Sequence, residues 1–125
     1  NGKSVALVEE KPSMSLATVI NELYAVIQDR RMNPVEGSYT NYLFGHGQDK
    51  ILKKIGEEAA ETIIASKNMK KDEILYEMGD LWYHCLVLLA FHDLLPDALF
   101  TELMKRRRGG NYHKFAGKTG KRPEM

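Results

Sequence analysis

Two pairs of carboxylates, Glu58-x-x-Glu61 and Glu77-x-x-Asp80, constrain the fold of this chain more than any other feature. Each pair has i, i+3 spacing, which puts both members on one face of a helix. Between the pairs lies Asn68-Met69-Lys70-Lys71-Asp72, which reads as a turn, with Asn68 stopping one helix and Asp72 capping the next. With the chain reversing at Met69, Glu61 and Glu77 are each eight residues from the tip, and Glu58 and Asp80 each eleven. At about 1.5 Å per residue the inner acids stand roughly 12 Å from the turn and the outer two roughly 16–17 Å. The pattern predicts an antiparallel helical hairpin whose four acids face each other at matched height. Acids packed that closely repel and their pKa values rise, a conflict that a bound divalent cation resolves.

The rest of the chain is also helical in pattern. Leu16, Val19, Ile20, Leu23, Val26 and Ile27 form an amphipathic stripe behind a Ser15 N-cap, and Asn33-Pro34 ends it. Ser38 caps a short helix, Tyr39 to Phe44, which Gly45-His46-Gly47 breaks. A long helix from Gln48 to Lys67 carries Ile51, Leu52, Ile55, Ala59, Thr62 and Ile63 on one face, with Glu58 at its edge. Lys53 and Glu57 are spaced to pair, so this helix taken alone reads as a solvated salt-bridge face.

The helix from Asp72 to Phe91 changes that weighting. Ile74, Leu75, Met78, Leu81, Trp82, Cys85, Leu88 and Leu89 fill one broad face, while Tyr76, Tyr83, Val87 and Ala90 cover much of the opposite side. Only a narrow polar line remains, made of Glu73, Glu77, Asp80 and His84. A helix apolar on two sides is expected to be buried. Its polar line then looks into a cleft, where charges need partners or a metal. A last helix follows Leu95-Pro96, with Leu99, Phe100, Leu103 and Met104 as its core face and Lys105-Arg106-Arg107-Arg108 at its C-terminus. The fold class is all-α: four to five helices in an antiparallel hairpin bundle.

With 125 residues, 43% hydrophobic and 28% charged, the chain fits a single domain, placed at 15–108. Residues 1–14 read as a leader or linker, with Ser4 to Val8 alternating like an edge strand, and residues 109–125 as a flexible basic tail. No run of 18 apolar residues suggests a membrane span, and Asn1 to Pro12 lack the apolar stretch of a signal peptide. The single cysteine, Cys85, is expected to be a small buried hydrophobe, and cytoplasm is the default compartment. The net charge of +1 hides a division between a body of −6 up to residue 104 and +7 from Lys105 onward. That suits an anionic ligand held near a metal, or a solvated tail. A non-enzymatic helical module binding nucleic acid through the tail is a reading of a different class.

Clustered Glu and Asp oxygens select hard cations such as Mg2+ or Mn2+. A di-iron bundle would want Glu-x-x-His, but Leu81 stands three positions before His84, and zinc sites lack their cysteines. Mg2+ bridges to phosphate oxygens, so a phosphate ester or anhydride is the natural ligand. Lys50, Lys53, Lys54 and Arg30-Arg31 offer counter-charge, or are ordinary surface residues. Gly117-Lys118-Thr119 imitates the end of a phosphate-binding loop, but Tyr112 occupies the place of its first glycine. His84 orients Asp80, touches substrate, or is a satisfied core histidine. Tyr39 and Tyr42 beside Asn41 either line a base or ribose pocket or, the simpler reading, pack in the core.

Glu57-Glu58-Ala59-Ala60-Glu61 followed by Glu77-Met78-Gly79-Asp80 resembles the metal motif of the all-α NTP pyrophosphohydrolases, the MazG-like superfamily. Three blocks are more specific: Glu36-Gly37-Ser38-Tyr39-Thr40-Asn41-Tyr42-Leu43-Phe44, Asp49-Lys50-Ile51-Leu52-Lys53-Lys54-Ile55-Gly56-Glu57-Glu58, and Asp80-Leu81-Trp82-Tyr83-His84. Together they resemble the phosphoribosyl-ATP pyrophosphohydrolase family from about Leu16 to Arg107. The resemblance implies Mg2+-dependent hydrolysis of phosphoribosyl-ATP to phosphoribosyl-AMP and pyrophosphate, the second step of histidine biosynthesis. It implies Mg2+, with Mn2+ as an alternative, on Glu58, Glu61, Glu77 and Asp80. Glu57, Glu58 and Glu61 would be catalytic, Glu57 as a further ligand or the residue that positions water. Lys50, Lys53 and Lys54 would hold phosphates, with Arg30, Tyr39 and His84 as further substrate-binding candidates. Similar enzymes form homodimers or higher oligomers by packing hairpins. Some are fused to phosphoribosyl-AMP cyclohydrolase, and the leader would then be a trailing linker. The alternative within the superfamily is a house-cleaning nucleoside-triphosphate pyrophosphohydrolase, against which the Ser38–Phe44 and Asp49–Glu58 blocks argue.

Overall fold

A computed structural model of the chain describes residues 13–109. Its helices are α1 (Leu16–Met32), α2 (Tyr39–His46), α3 (Gln48–Lys67), α4 (Lys71–Phe91) and α5 (Pro96–Arg108), and there is no strand among the described residues. The all-α expectation holds. The leader strand, the tail beyond Gly109 and Gly117-Lys118-Thr119 lie outside the described residues. Of the described residues, those up to Asp93 form one compact unit and those from Leu94, with α5, another.

Local chemistry sets the helix ends. The hydroxyls of Ser15 and Ser38 accept from the backbone N–H of Thr18 and Asn41, at 3.2 and 3.3 Å, the N-caps expected from sequence. The short helix does not break at Gly45: it runs to His46 and stops at Gly47. Gly47 has φ +83 and ψ −176, a region essentially restricted to glycine, and this one residue both ends α2 and starts α3.

The hairpin turn is where the expectation needs correction. The N-cap of α4 is Lys70 rather than Asp72, and no side chain caps it; Asp72 lies inside the first turn, where its charge favours the helix dipole. Closure comes from the end of α3 instead. Met69 sits at φ +56, its N–H bonds the Ser66 carbonyl at 3.0 Å, and Lys70 N–H bonds the Ala65 carbonyl at 3.1 Å. This is a Schellman closure made without the usual glycine.

The α3–α4 hairpin is the dominant packing unit, with α1 against α4 and α2 against both α3 and α1. Ile20, Tyr24, Ile27, Leu43, Ile51, Leu86, Val87 and Ala90 form the core. Ile51 and Val87, each eighteen residues from Met69, are both fully buried, so the hairpin keeps the expected register. The main core cluster on the hairpin lies toward its base, and near the turn only Ala65 of the described residues is buried. Nearer the tip Ile63, Ile64, Leu75 and Tyr76 are exposed.

α4 leaves much of the face its pattern favours uncovered, although Leu88 and Leu89 pack against the core. Val87 and Ala90 are core, while Leu75, Met78, Trp82 and Cys85 are exposed, so Cys85 is not the buried hydrophobe expected. The reason is coverage: α1 packs on α4 and α2 on α3 and α1, and the face of α4 carrying Leu75, Met78 and Trp82 stays exposed. On α3, Leu52 and Ile63 are likewise exposed, and Glu58 takes a buried place among Ile51 and Ala65. On length and composition alone, α4 is apolar enough to cross a membrane. Its polar residues Glu77 and His84, however, interact with Glu61 and Glu58 on α3, which is the pattern of a helix pair.

Candidate active site

The four acids face one another across the hairpin. Glu77 on α4 lies near Glu61 on α3, and their interaction is the main reason its carboxyl is pushed up to about 7. Partial desolvation adds to the rise, as do the charges of Glu61, Asp80 and Glu58. Glu58 is buried, 7% exposed, and burial lifts its carboxyl above the ordinary range; His84 and Lys54 pull it back, while Asp80 adds to the rise. Inner and outer pairs therefore feel each other, as the spacing predicts. As they stand, no group of three or more His, Cys, Asp or Glu among the described residues converges on a single ion-sized point.

His84 organises the outer pair. It is 4% exposed, with Nδ1 2.8 Å from the Asp80 carbonyl oxygen and 2.6 Å from Glu58 Oε1. The ring N–H is aimed at the carbonyl, so Oε1, although close, is a buried oxygen without a hydrogen bond. Helical side chains lean toward their own N-terminus, so Glu58 leans toward the base of the hairpin and His84 toward its tip, and they meet between levels. Of the readings weighed for His84, direct contact with substrate does not fit its burial. Its ring lies against the Glu58 carboxylate; with Asp80 it touches only the backbone carbonyl.

The basic candidates separate. Lys54 lies 3.9 Å from Glu57 and close enough to Glu58 to stabilise its charge, so Glu57 pairs with Lys54 rather than with Lys53 as expected. Lys50 Nζ sits 5.6 Å above the Tyr42 ring. Lys53 is exposed on another side of α3. Arg30 pairs with Asp29 at 3.2 Å. Arg31 is structural: its guanidinium bonds the Ala90 carbonyl and Asp93, tying the end of α1 to the end of α4.

Tyr39 and Tyr42 are not core residues. Each is 44% exposed; their rings stack at 6.1 Å, and they line a groove of about 900 Å³ with residues 34–38 and Asn41. The Tyr39 hydroxyl meets Nε2 of His84 at 2.7 Å, and burial together with the charges of Glu58 and Asp80 raises its pKa. Two contributors were not singled out from sequence. Asn41 fixes the groove loop, accepting from Val35 N–H at 2.8 Å and donating to the Arg30 carbonyl at 2.6 Å. Thr40 is buried and hydrogen-bonded to the Tyr83 hydroxyl. An asparagine just after a Pro-x-x-Gly-Ser loop was the available signal for the first; Thr40 carried none.

The family model for phosphoribosyl-ATP pyrophosphohydrolase matches residues 20–107, which contain every acid of the site. The chain belongs to the phosphoribosyl-ATP pyrophosphohydrolase family. A phosphoribosyl-ATP pyrophosphatase of Pelotomaculum thermopropionicum is 57% identical over 90 residues, 72% of this chain and 92% of the relative. One from Clostridium acetobutylicum is 52% identical over 88 residues, 70% of this chain and 80% of the relative. A histidine biosynthesis bifunctional protein HisIE of Caldanaerobacter subterraneus subsp. tengcongensis is 57% identical over 88 residues, 70% of this chain but only 43% of the relative. The chain thus spans most of the single-function phosphoribosyl-ATP pyrophosphohydrolases it matches and less than half of that bifunctional one.

Proposed function

We propose that the facing acids of α3 and α4 are the centre at which this chain hydrolyses phosphoribosyl-ATP to phosphoribosyl-AMP and pyrophosphate in histidine biosynthesis. The observation that carries the reading is the acid pairing across one hairpin, Glu61 with Glu77 beside a buried Glu58 whose Oε1 lacks a hydrogen bond. An all-oxygen donor set of this charge fits Mg2+, with Mn2+ as an alternative, held by Glu58, Glu61, Glu77 and Asp80. When bound, such an ion polarises a phosphoanhydride and offsets its negative charge.

The chain's own groups supply the rest. Glu57, exposed and paired with Lys54, would orient a water or take its proton. Lys54, with Lys50 one turn before it, offers positive charge to phosphate oxygens; Lys53 and Arg30 are left with weaker support. The Tyr39–Tyr42 groove has an aromatic wall, and Glu36 is among its lining residues, so it suits a base or ribose better than a phosphate.

A homodimer in which a second copy covers Leu75, Met78 and Trp82 would finish the hairpin bundle. A full-length protein that also carries phosphoribosyl-AMP cyclohydrolase is consistent with the bifunctional relatives, of which the chain matches 43% and 40%. Histidine biosynthesis acts on soluble nucleotides, which supports a cytoplasmic place. The deciding experiment compares turnover of phosphoribosyl-ATP with that of deoxynucleoside triphosphates. Rapid hydrolysis of the latter without the former would reassign the site to a house-cleaning activity.

A further inference from the structure

We propose that Tyr39 and His84 form a positioning relay that sets the Glu58 carboxylate, with the groove-facing Tyr39 as its outer end. The proposal rests on the reading of the acids given above. The Asp80 carbonyl can only accept, so Nδ1 of His84, 2.8 Å away, carries the ring hydrogen. Nε2 is then placed to accept the Tyr39 hydroxyl at 2.7 Å. The imidazole is held at both nitrogens and wedged edge-on between the rings of Tyr39 and Tyr83, each 5.6 Å away. Tyr83 is fixed in turn by its hydrogen bond to Thr40.

An imidazole held this way cannot swing, and Glu58 Oε1, 2.6 Å from Nδ1, is confined with it. A histidine serving the core alone would need its nitrogens satisfied by buried partners. Here one partner is a tyrosine nearly half exposed in the wall of the groove. An occupant that contacts the Tyr39 ring therefore acts on Glu58 through one hydrogen bond, Tyr39 to His84, and the close contact of His84 with the carboxylate. Both Tyr39 and His84 are positioning residues in this scheme.

The test uses two conservative variants. Tyr39→Phe deletes one hydroxyl and keeps the groove wall; His84→Asn keeps a nitrogen in place of Nδ1 and loses Nε2. Mn2+ binding without nucleotide, followed by calorimetry, should weaken about tenfold in either variant, with a similar loss in kcat. KM for phosphoribosyl-ATP should move by less than about twofold for Tyr39→Phe, because the ring that contacts ligand remains. The double variant should be no worse than the worse single one, since both cut the same link. Failure of the parent protein to bind Mn2+ overturns the metal reading and the relay with it. A parent that binds, beside a Tyr39→Phe that binds and turns over equally well, overturns the relay alone, as do fully additive losses.

Discussion

Glu61 and Glu77 lie opposite each other across the α3–α4 hairpin, and their interaction pushes the Glu77 carboxyl up to about 7. In the unfolded chain the same carboxyl ionises near its ordinary 4.5. Between those values the folded protein holds a proton that the unfolded one has released. Folding stability without divalent cations therefore falls as pH rises through that window and levels off above it. Glu58, also raised, acts in the same direction. Thermal melts in chelator at pH 5 and pH 8 should show the drop, and Glu77→Gln should reduce it. An unchanged slope in Glu77→Gln would remove Glu77 as the source.

Glu61→Gln and Asp80→Asn should each lower turnover about a hundredfold or more while leaving the melting temperature near that of the parent. Neither side chain is part of the core, so loss of activity would not reflect loss of fold. Near-normal rates in both variants at limiting Mg2+ would refute their assignment as ligands.

What the sequence revealed and what it hid divide along one physical line. Helix positions and the reversal at Met69 follow from local spacing and intervals, which a single chain encodes in itself. The buried side of α4 does not, because it depends on which neighbours are long enough to cover it. Leu75 and Trp82 look like core on a helical wheel, and Val87 and Ala90 are core in fact. The same limit explains His84. Its spacing from Asp80 is visible along the chain, but its contact with Glu58 depends on two helices leaning in opposite directions. For Tyr39 and Tyr42 the pattern leaves pocket wall and core both open, because the groove they line is fixed by the bonds of Asn41 to Val35 and Arg30, which no periodicity announces.

Met69 offers a test of the turn. At φ +56 a side chain costs about 1–2 kcal/mol, and glycine removes that strain while adding roughly 0.5–1 kcal/mol of unfolded-state entropy. Met69 is 85% exposed, so few contacts are lost. Met69→Gly should stabilise the protein by about 0.5–1 kcal/mol in urea unfolding. Ile27→Ala, in the fully buried core, should cost roughly 2–5 kcal/mol in the same assay.

The exposed face of α4 predicts a change of assembly. Met78 and Trp82 are one turn apart on it, and a charge there would meet apolar partner surface in any dimer that covers it. Trp82→Glu should yield a folded monomer by sedimentation analysis, with helicity close to that of the parent. A parent already monomeric at working concentration would dismiss the dimer.

The adjacent lysines of α3 give the sharpest contrast, because sequence treats them alike. Lys54 reaches Glu57 and bears on Glu58, whereas Lys53 points to another side of the helix. A charge-assisted hydrogen bond to a phosphate oxygen contributes about 1.5–3 kcal/mol. Lys54→Ala should therefore raise KM for phosphoribosyl-ATP about tenfold or more, while Lys53→Ala should change it less than about twofold. Steady-state kinetics on the two variants decides the matter. Equal effects would mean that the substrate's phosphates lie along a different side of α3 from the one the acids define.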